Sequence, residues 1–434
     1  MLKFGQGHMD ISMENILHAL SGYSPVIFLE SQSDEHPASR YSYLAGLPEA
    51  SLTAHGDKIT RMEEGEVQAI DQNPWDALRE FRKDYPDWLF GYISYDLKNF
   101  SENLHSHNPD PVRAPDLYFM KPGLVLRQNL KRGDAEVLKG DLPVEISLDF
   151  NVESQVDFDQ LEFSVDKRSY LDTIREAQRR IKEGDFYEIN LSHQLNMDFA
   201  GDPVVLYNRM KEAGPVPFGA FLQLDDLSIA CASPERFLAR DGDRIFSQPI
   251  KGTRGRGATV EEDEQLKKEL EESDKEKAEN LMIVDLVRND FNRVAVTGSV
   301  QVPHLFEIQT FGTVHQMVST IEARVGKISP VDILRACFPM GSMTGAPKIS
   351  AMKSIEELEN YKRGVYSGTI GYMTPSGDFD FNVVIRSALL KNDHLYYSVG
   401  GAITSDSDPE KEWEESLIKA RALTEAMKTP AEEL

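Results

Sequence analysis

One lysine opens a run of glycines and arginines, Pro249-Ile250-Lys251-Gly252-Thr253-Arg254-Gly255-Arg256-Gly257. Glycines let a backbone take positive φ and come close to a ligand. Loose amides beside cations cradle anions. The stretch therefore reads as a loop with three uses open to it: a carboxylate or phosphate clamp, a reacting amine, or a basic surface turn. Complementary chemistry lies in two pairs of glutamates. Glu276 and Glu279 stand at i, i+3, and Glu279 shares a helical stripe with Met282, Ile283 and Leu286, which turns its carboxylate inward. Glu412 and Glu415 repeat the spacing, with Lys419 one turn on. Carboxylates facing a core need a proton or a cation. Either pair alone reads as a surface feature; the two together favour a hard cation. Mg²⁺ suits, since it takes one or two carboxylates and shares its remaining shell with water and substrate.

Four further stretches carry reactive side chains. Glu235 sits beside Arg236 in "SPERF", as suited to pairing with that neighbour as to acid/base work. His315 in "FGTVHQMVST" stands at i, i+4 from Ser319, the pattern of a packed, satisfied histidine. "FPMGSMTGAPK" has a glycine-rich turn with Pro347 at a helix start, but its spacing is not that of a P-loop. Arg386 in "FNVVIRSALL" reads as an arginine inside an apolar strand. Such a guanidinium calls for a bidentate carboxylate, either internal or from a substrate.

These groups need a scaffold. "DKRSYLDTIREAQRRIKEGD" has helical spacing, with Tyr170, Ile174, Ala177 and Ile181 on one stripe and Gly184 as the stop. "FYEINLSHQLNM" reads as a strand. "GAFLQLDDLSIACASPERFLARDGDRIFSQ" reads as successive antiparallel strands joined by Asp-Asp and Asp-Gly turns. "TVEEDEQLKKELEESDKEKAENLMIVDLVRND" is helical, "HLYYSVGGAITSD" a strand ending in glycines, and "PEKEWEESLIKARALTEAMK" a closing helix. Strands and helices come in blocks, which favours α+β with antiparallel sheets. Polar sequence around residue 150 marks a junction between an N-terminal region, 1–150, and a second region, 160–430.

Composition narrows the function. The chain has 434 residues and a formal charge of −25, so its surface repels nucleic acid and anionic membranes. Two cysteines far apart argue for a reducing compartment. The absence of an apolar h-region and of any long apolar run makes a cytoplasmic protein the expectation.

Taken in order, "SPERFL", "PIKGTRGRG", "KAENLMIVDLVRND", "HQMVS", "GSMTGAPK", "RGVYSGTIGY", "VVIRSAL" and "GGAITSDSDPEKEWEESLIKA" resemble the chorismate-utilising enzymes. "VIFLES" and "FGYISYDL" resemble the N-terminal region of that family's amine-adding members. The resemblance implies a two-subdomain α+β fold of packed antiparallel sheets flanked by helices. Lysine at position 251, where the anthranilate-forming branch has alanine, resembles the branch that makes 4-amino-4-deoxychorismate. There it implies that the Lys251 amine adds to C2 of chorismate as the C4 hydroxyl leaves, before ammonia enters at C4 and expels it. A nucleophilic lysine must be neutral, and desolvation, Arg254, Arg256 and a metal are expected to lower its pKa.

The same resemblance implies Glu235 as acid/base and Mg²⁺ on Glu279 and Glu415, with Glu276 and Glu412 acting through water. It implies substrate contacts from Arg386, Tyr366, Lys419 and the amides of Gly252, Thr253, Gly400, Gly401 and Ala402. His315 and Thr344 fall at active-site positions without an assigned role. Three departures stand out: Glu188 replaces the lysine base of isochorismate-forming relatives and the usual glutamine of amine-adding ones, Asn280 replaces a histidine, and "GPVPF" replaces the turn of a tryptophan pocket. No G-x-C-x-G elbow is present, so ammonia must come from solution or from a separate glutamine amidotransferase subunit. The expected product serves 4-aminobenzoate and folate synthesis. Two alternatives are an anthranilate-forming enzyme and an inactive scaffold that binds a glutaminase.

Overall fold

The computed structural model describes residues 2–4, 7–9, 12–32, 40–143, 156–159, 161–312 and 314–428. Helices and antiparallel strands share it in blocks, as an α+β chain requires. The strand Phe218–Leu224 turns at Asp225 into Leu227–Ser233, and Arg236–Asp241 turns at Gly242 into Arg244–Gln248. The polar turn dipeptides thus mark the hairpins. The strand Glu188–Gly201 pairs with His394–Ile403 over ten consecutive positions, from Ile189↔Ile403 to Asp198↔His394.

N-terminal strands are stitched into this framework. Val26–Glu30 pairs with Phe218–Leu224, and Leu89–Ile93 pairs with Thr369–Met373. Apolar packing follows suit, because Trp75 and Phe119 share one core with Phe237 and Phe338. A second core joins Leu17 and Leu44 to Leu195 and Tyr397. The junction expected near residue 150 lies outside the described residues, and on either side of it the chain contributes to common cores.

Helix Lys167–Glu183 starts on Asp166, whose carboxylate accepts from Ser169 N, and stops at left-handed Gly184. Its buried stripe is Tyr170, Leu171, Ile174 and Ala177; Ile181 packs there only partly buried. The acidic helix is two helices, Val260–Glu272 and Asp274–Asn292. Ser273 causes the break: it takes an extended ψ of 104° and its hydroxyl accepts from Glu276 N, capping the second helix. The closing helix also divides, at Ala420, into Pro409–Lys419 and Arg421–Ala426.

Candidate active site

The glycine-rich run is a strand, not a loop. Ile250–Gly255 pairs with Val314–Arg324, with a break in register between Ile250 and Thr253. Gly252 sits in that break at φ 79°, a conformation glycine adopts without strain. Neighbouring helix sets the glycine too, since a Cβ there would come within 3.0 Å of the Glu276 carboxylate. The bulge takes Lys251 out of the regular ladder.

Lys251 donates to Glu188 Oε1 at 2.7 Å and lies 3.9 Å from Glu279 Oε2. Burial works to lower its pKa, but the negative charges of Glu188, Glu279 and Glu235 outweigh burial and hold the ammonium well above the usual lysine range. This corrects the expectation of a depressed pKa. Arg254 and Arg256 are engaged by other carboxylates: Arg254 lies 3.6 Å from Glu276, and Arg256 forks onto Asp263. Glu188, the unexplained departure, is thereby the lysine's closest partner. Its second oxygen is buried and has no hydrogen bond among the described residues.

Glu235 is buried and accepts from Ser342 Oγ at 2.8 Å. Burial pushes its carboxyl up to about 7, with Ser342, Lys251 and Arg386 partly offsetting the rise. Arg236 is not its partner; that guanidinium forks onto Asp380 at 2.8 and 2.7 Å. Arg386 lies in the gap between strands Phe379–Asn382 and Ser387–Lys391, at φ 52°, rather than inside a strand. Among the described residues its guanidinium has no ion pair and no side-chain hydrogen bond, and burial lowers its pKa. An internal carboxylate is therefore not what holds it.

The two glutamate pairs converge. Lys275 feels the charges of Glu279, Glu412, Glu276 and Glu415 together; burial would lower its pKa, and those charges raise it. Glu279 is raised chiefly by burial and, against the pull of Lys251, by Glu188 and Glu276. Its Oε1 has no hydrogen bond among the described residues. Burial also raises Glu412, whose other charged neighbours include Glu415 and whose carboxylate accepts from Ser407. Burial alone would raise Glu415, but Lys419, Lys275 and Lys251 bring it down. Lys419 reaches Glu415 at 2.9 Å and the Gly400 carbonyl at 2.9 Å. Gly401 keeps this corner open, as a Cβ would lie 3.3 Å from Glu412 Oε2. Gly400, Gly401 and Ala402 pair with Ser192, Leu191 and Asn190, while the neighbouring strand Ser387–Lys391 stops at Tyr397, so among the described residues their far edge has no strand partner.

Two expected residues have their polar atoms engaged by the protein itself. His315 uses one ring nitrogen on Thr310 at 2.8 Å and the other on Asp263 at 3.0 Å. Thr344 is fully buried and its hydroxyl donates to the backbone of Met340 and Gly341. Tyr366 is 4% exposed in a turn, beside Arg363. Asn280 accepts from Ser319 and leaves Glu279 undisturbed. Sequence reasoning passed over Ser342, inside the quoted "GSMTGAPK", and Lys275, whose i, i+4 spacing to Glu279 was visible.

A pocket opens beside this machinery, lined by Glu235, Ser342, Pro249 and Ile283 among others. Residues 24–425 match the family described as chorismate binding enzyme. The chain belongs to that family. It is 33% identical to anthranilate synthase component 1 of Aquifex aeolicus (strain VF5), over 94% of this chain and 90% of that one. It is also 33% identical to aminodeoxychorismate synthase component 1 of Escherichia coli (strain K12), over 92% of each. The crystal structure of anthranilate synthase component I from Streptococcus pneumoniae TIGR4 superposes with a TM-score of 0.78 at 28% identity, covering 90% of this chain and 93% of that one. The menaquinone-specific isochorismate synthase from Escherichia coli shares the fold, with a TM-score of 0.75 at 18% identity over 97% of this chain and 92% of that one. This chain is thus a chorismate-utilising enzyme. No helix among the described residues is long and apolar enough to cross a membrane.

Proposed function

We propose that the protein aminates chorismate at C4 to give 4-amino-4-deoxychorismate, through a covalent bond between Lys251 and C2. Over nearly the whole chain, relatives named for this reaction and for anthranilate formation are equally similar, at 33% identity. The choice therefore rests on Lys251: a largely enclosed amine, its side chain 11% exposed, on a bulge, beside Glu188 and Glu279 and within the field of Glu235. In the resting state that amine is charged and cannot attack. Glu188, 2.7 Å away, stands where its proton can go. The neutral amine then adds to C2, the ring double bonds shift, and the C4–O bond breaks. Glu235, protonated up to about pH 7, supplies the proton that turns the leaving hydroxyl into water. Ammonia adds at C4, the double bonds shift back, and the Lys251 amine leaves and recovers its proton.

Unpaired Arg386 suits a substrate carboxylate, and the free edge at Gly400, Gly401 and Ala402, with Lys419 beside it, suits a second anionic group. Gly252 and Thr253 would add amides at the bulge, and Tyr366 a ring wall. His315 and Thr344, both satisfied internally, would shape the site rather than react.

Mg²⁺ is the cation the donor set fits. The four glutamates are oxygen ligands, Glu279 Oε1 has no hydrogen bond among the described residues and only Lys275 at 3.7 Å, and Lys275 lies among all four charges. Glu279 and Glu415 would hold the ion and Glu276 and Glu412 would orient it through water. When bound it would polarise the ring carboxylate as a Lewis acid. Among the described residues no three His, Cys, Asp or Glu side chains form a closed ligand cluster. Folate synthesis is the use we assign to the product. The ammonia source we assign is solution or a separate glutaminase subunit, in keeping with the words "component 1" in the relatives' names.

A product assay tests the reading. Chorismate, ammonium and Mg²⁺ should yield a product that becomes 4-aminobenzoate only after a lyase is added. Direct appearance of fluorescent anthranilate would instead assign the other branch, and no chorismate consumption would leave the scaffold.

A further inference from the structure

Arg363 takes no part in the chemistry above, yet it is among the most fully engaged side chains in the molecule. It is 2% exposed, and all five of its N–H groups have acceptors. Nε and one Nη grip Glu359 at 2.9 and 2.6 Å. The remaining N–H groups reach the carbonyls of Met343 and Asn190, each at 2.7 Å, and Ser367 Oγ at 3.3 Å. Those acceptors belong to three different segments. Met343 follows Ser342, whose hydroxyl touches Glu235. Asn190 lies two residues beyond Glu188 on the same strand. Ser367 adjoins Tyr366, whose own N–H bonds Arg363 O.

We propose that Arg363, gripped by Glu359, is a positioning residue: it fixes the Ser342 hydroxyl against Glu235 and docks the Tyr366 turn and the Glu188 strand around it. The proposal rests on Glu235 being the acid/base of the reaction. A buried ion pair is a poor source of stability, because desolvation offsets the attraction and apolar replacements are often no worse. What it supplies is geometry. A guanidinium is a rigid planar fork, and a lysine at the same place has three donors radiating from one atom and cannot span three segments. Tyr95, from the N-terminal half, stacks under the guanidinium at 4.8 Å and closes the remaining side.

Arg363→Lys tests this, since it keeps the charge and the attraction to Glu359 but loses the fork. The charged groups facing Glu235 are Lys251 and Arg386. Those facing Arg363 are the Glu359 carboxylate and the neutral phenols of Tyr95 and Tyr366, which burial keeps protonated. None of these is changed. Misplacing catalytic groups by about 1 Å can cost roughly 100-fold in rate. The expected result is therefore a kcat about 100-fold lower with KM for chorismate within about threefold of wild type. The alkaline limb of the kcat–pH profile should move upward, in the direction Ser342→Ala moves it, because the Ser342 bond holds the Glu235 pKa down. A folded Arg363→Lys with wild-type kcat and an unmoved limb overturns the proposal, whatever its melting temperature. Should Arg363→Lys fail to fold, Glu359→Gln keeps the shape while weakening the grip, and the same two readouts decide. Full activity in Glu235→Gln would overturn the acid/base reading itself, and the proposal with it, a result no Arg363 variant can mimic.

Discussion

Arg363 and Lys251 are both cations beside buried glutamates, but their surroundings differ. Arg363 has an acceptor for each of its N–H groups. Around Lys251 the bonding is incomplete: among the described residues Glu188 Oε2 and Glu279 Oε1 are buried without hydrogen-bond partners. Glu279 and Glu412 are raised above the ordinary carboxylate range, mainly by burial. Unsatisfied buried polar groups cost free energy, so a fold keeps them where a ligand, a cation or a proton will complete them. The saturated cluster holds segments in place; the unsaturated one is where chorismate and Mg²⁺ would bind. Substitutions should therefore separate along that line.

The largest loss should follow Lys251→Ala, with C4 amination falling roughly 1,000-fold or more, as expected when a covalent nucleophile is removed. A coupled 4-aminobenzoate assay measures it, and unaltered amination would contradict the role. Glu279→Ala should abolish the Mg²⁺ response along with most activity; a variant still fully activated by Mg²⁺ titration would place the ion elsewhere.

Glu235→Gln should lower kcat by about 100- to 10,000-fold, the range for a positioned acid/base, yet stabilise the fold at neutral pH. The sign follows from proton binding. Glu235 titrates at about 7 when folded and near 4.5 in an ordinary environment, so the native state binds the proton more tightly. Its contribution to stability is full below about 4.5 and is lost as pH rises through 7. Above pH 7 the ionised carboxylate then costs up to about 3 kcal/mol, which glutamine removes. Denaturant melts at pH 5 and pH 8 would check this: the variant should gain at pH 8 and not at pH 5, and equal shifts would refute it. The smallest effect belongs far from either cluster. Gly184→Ala, at the left-handed end of helix Lys167–Glu183 with no atom near the added Cβ, should cost about 1 kcal/mol and leave activity unchanged.

Much of the scaffold was legible because its signals are local. Asp166, the Tyr170–Ile174–Ala177 stripe and Gly184 delimit one helix, and Asp225-Asp226 mark one hairpin. The lysine run was misread as a loop because pairing with Val314–Arg324, some 60 residues away, overrides the low strand propensity of glycine. The break at Ser273 was missed because serine also sits within helices, and only its extended ψ shows the cap. Arg386 was placed inside a strand because its neighbours are apolar; its positive φ has no signature in those neighbours. The site's residue types were readable from the resemblance, but their electrostatics were not. Lys251 was given the wrong direction of shift because Glu188 lies 63 positions away and nothing in the sequence joins them. Arg363 escaped notice for the same reason, since its acceptors come from three segments.

Intact-mass analysis of wild-type protein mixed with chorismate and Mg²⁺, without ammonia, tests the Lys251 chemistry most directly. The account predicts a substrate-derived adduct, chorismate less water, mapped by peptide sequencing to Lys251 and discharged when ammonium is added. Turnover of chorismate to the aminated product with no adduct at Lys251, in protein that stays active as Lys251→Ala, would contradict it.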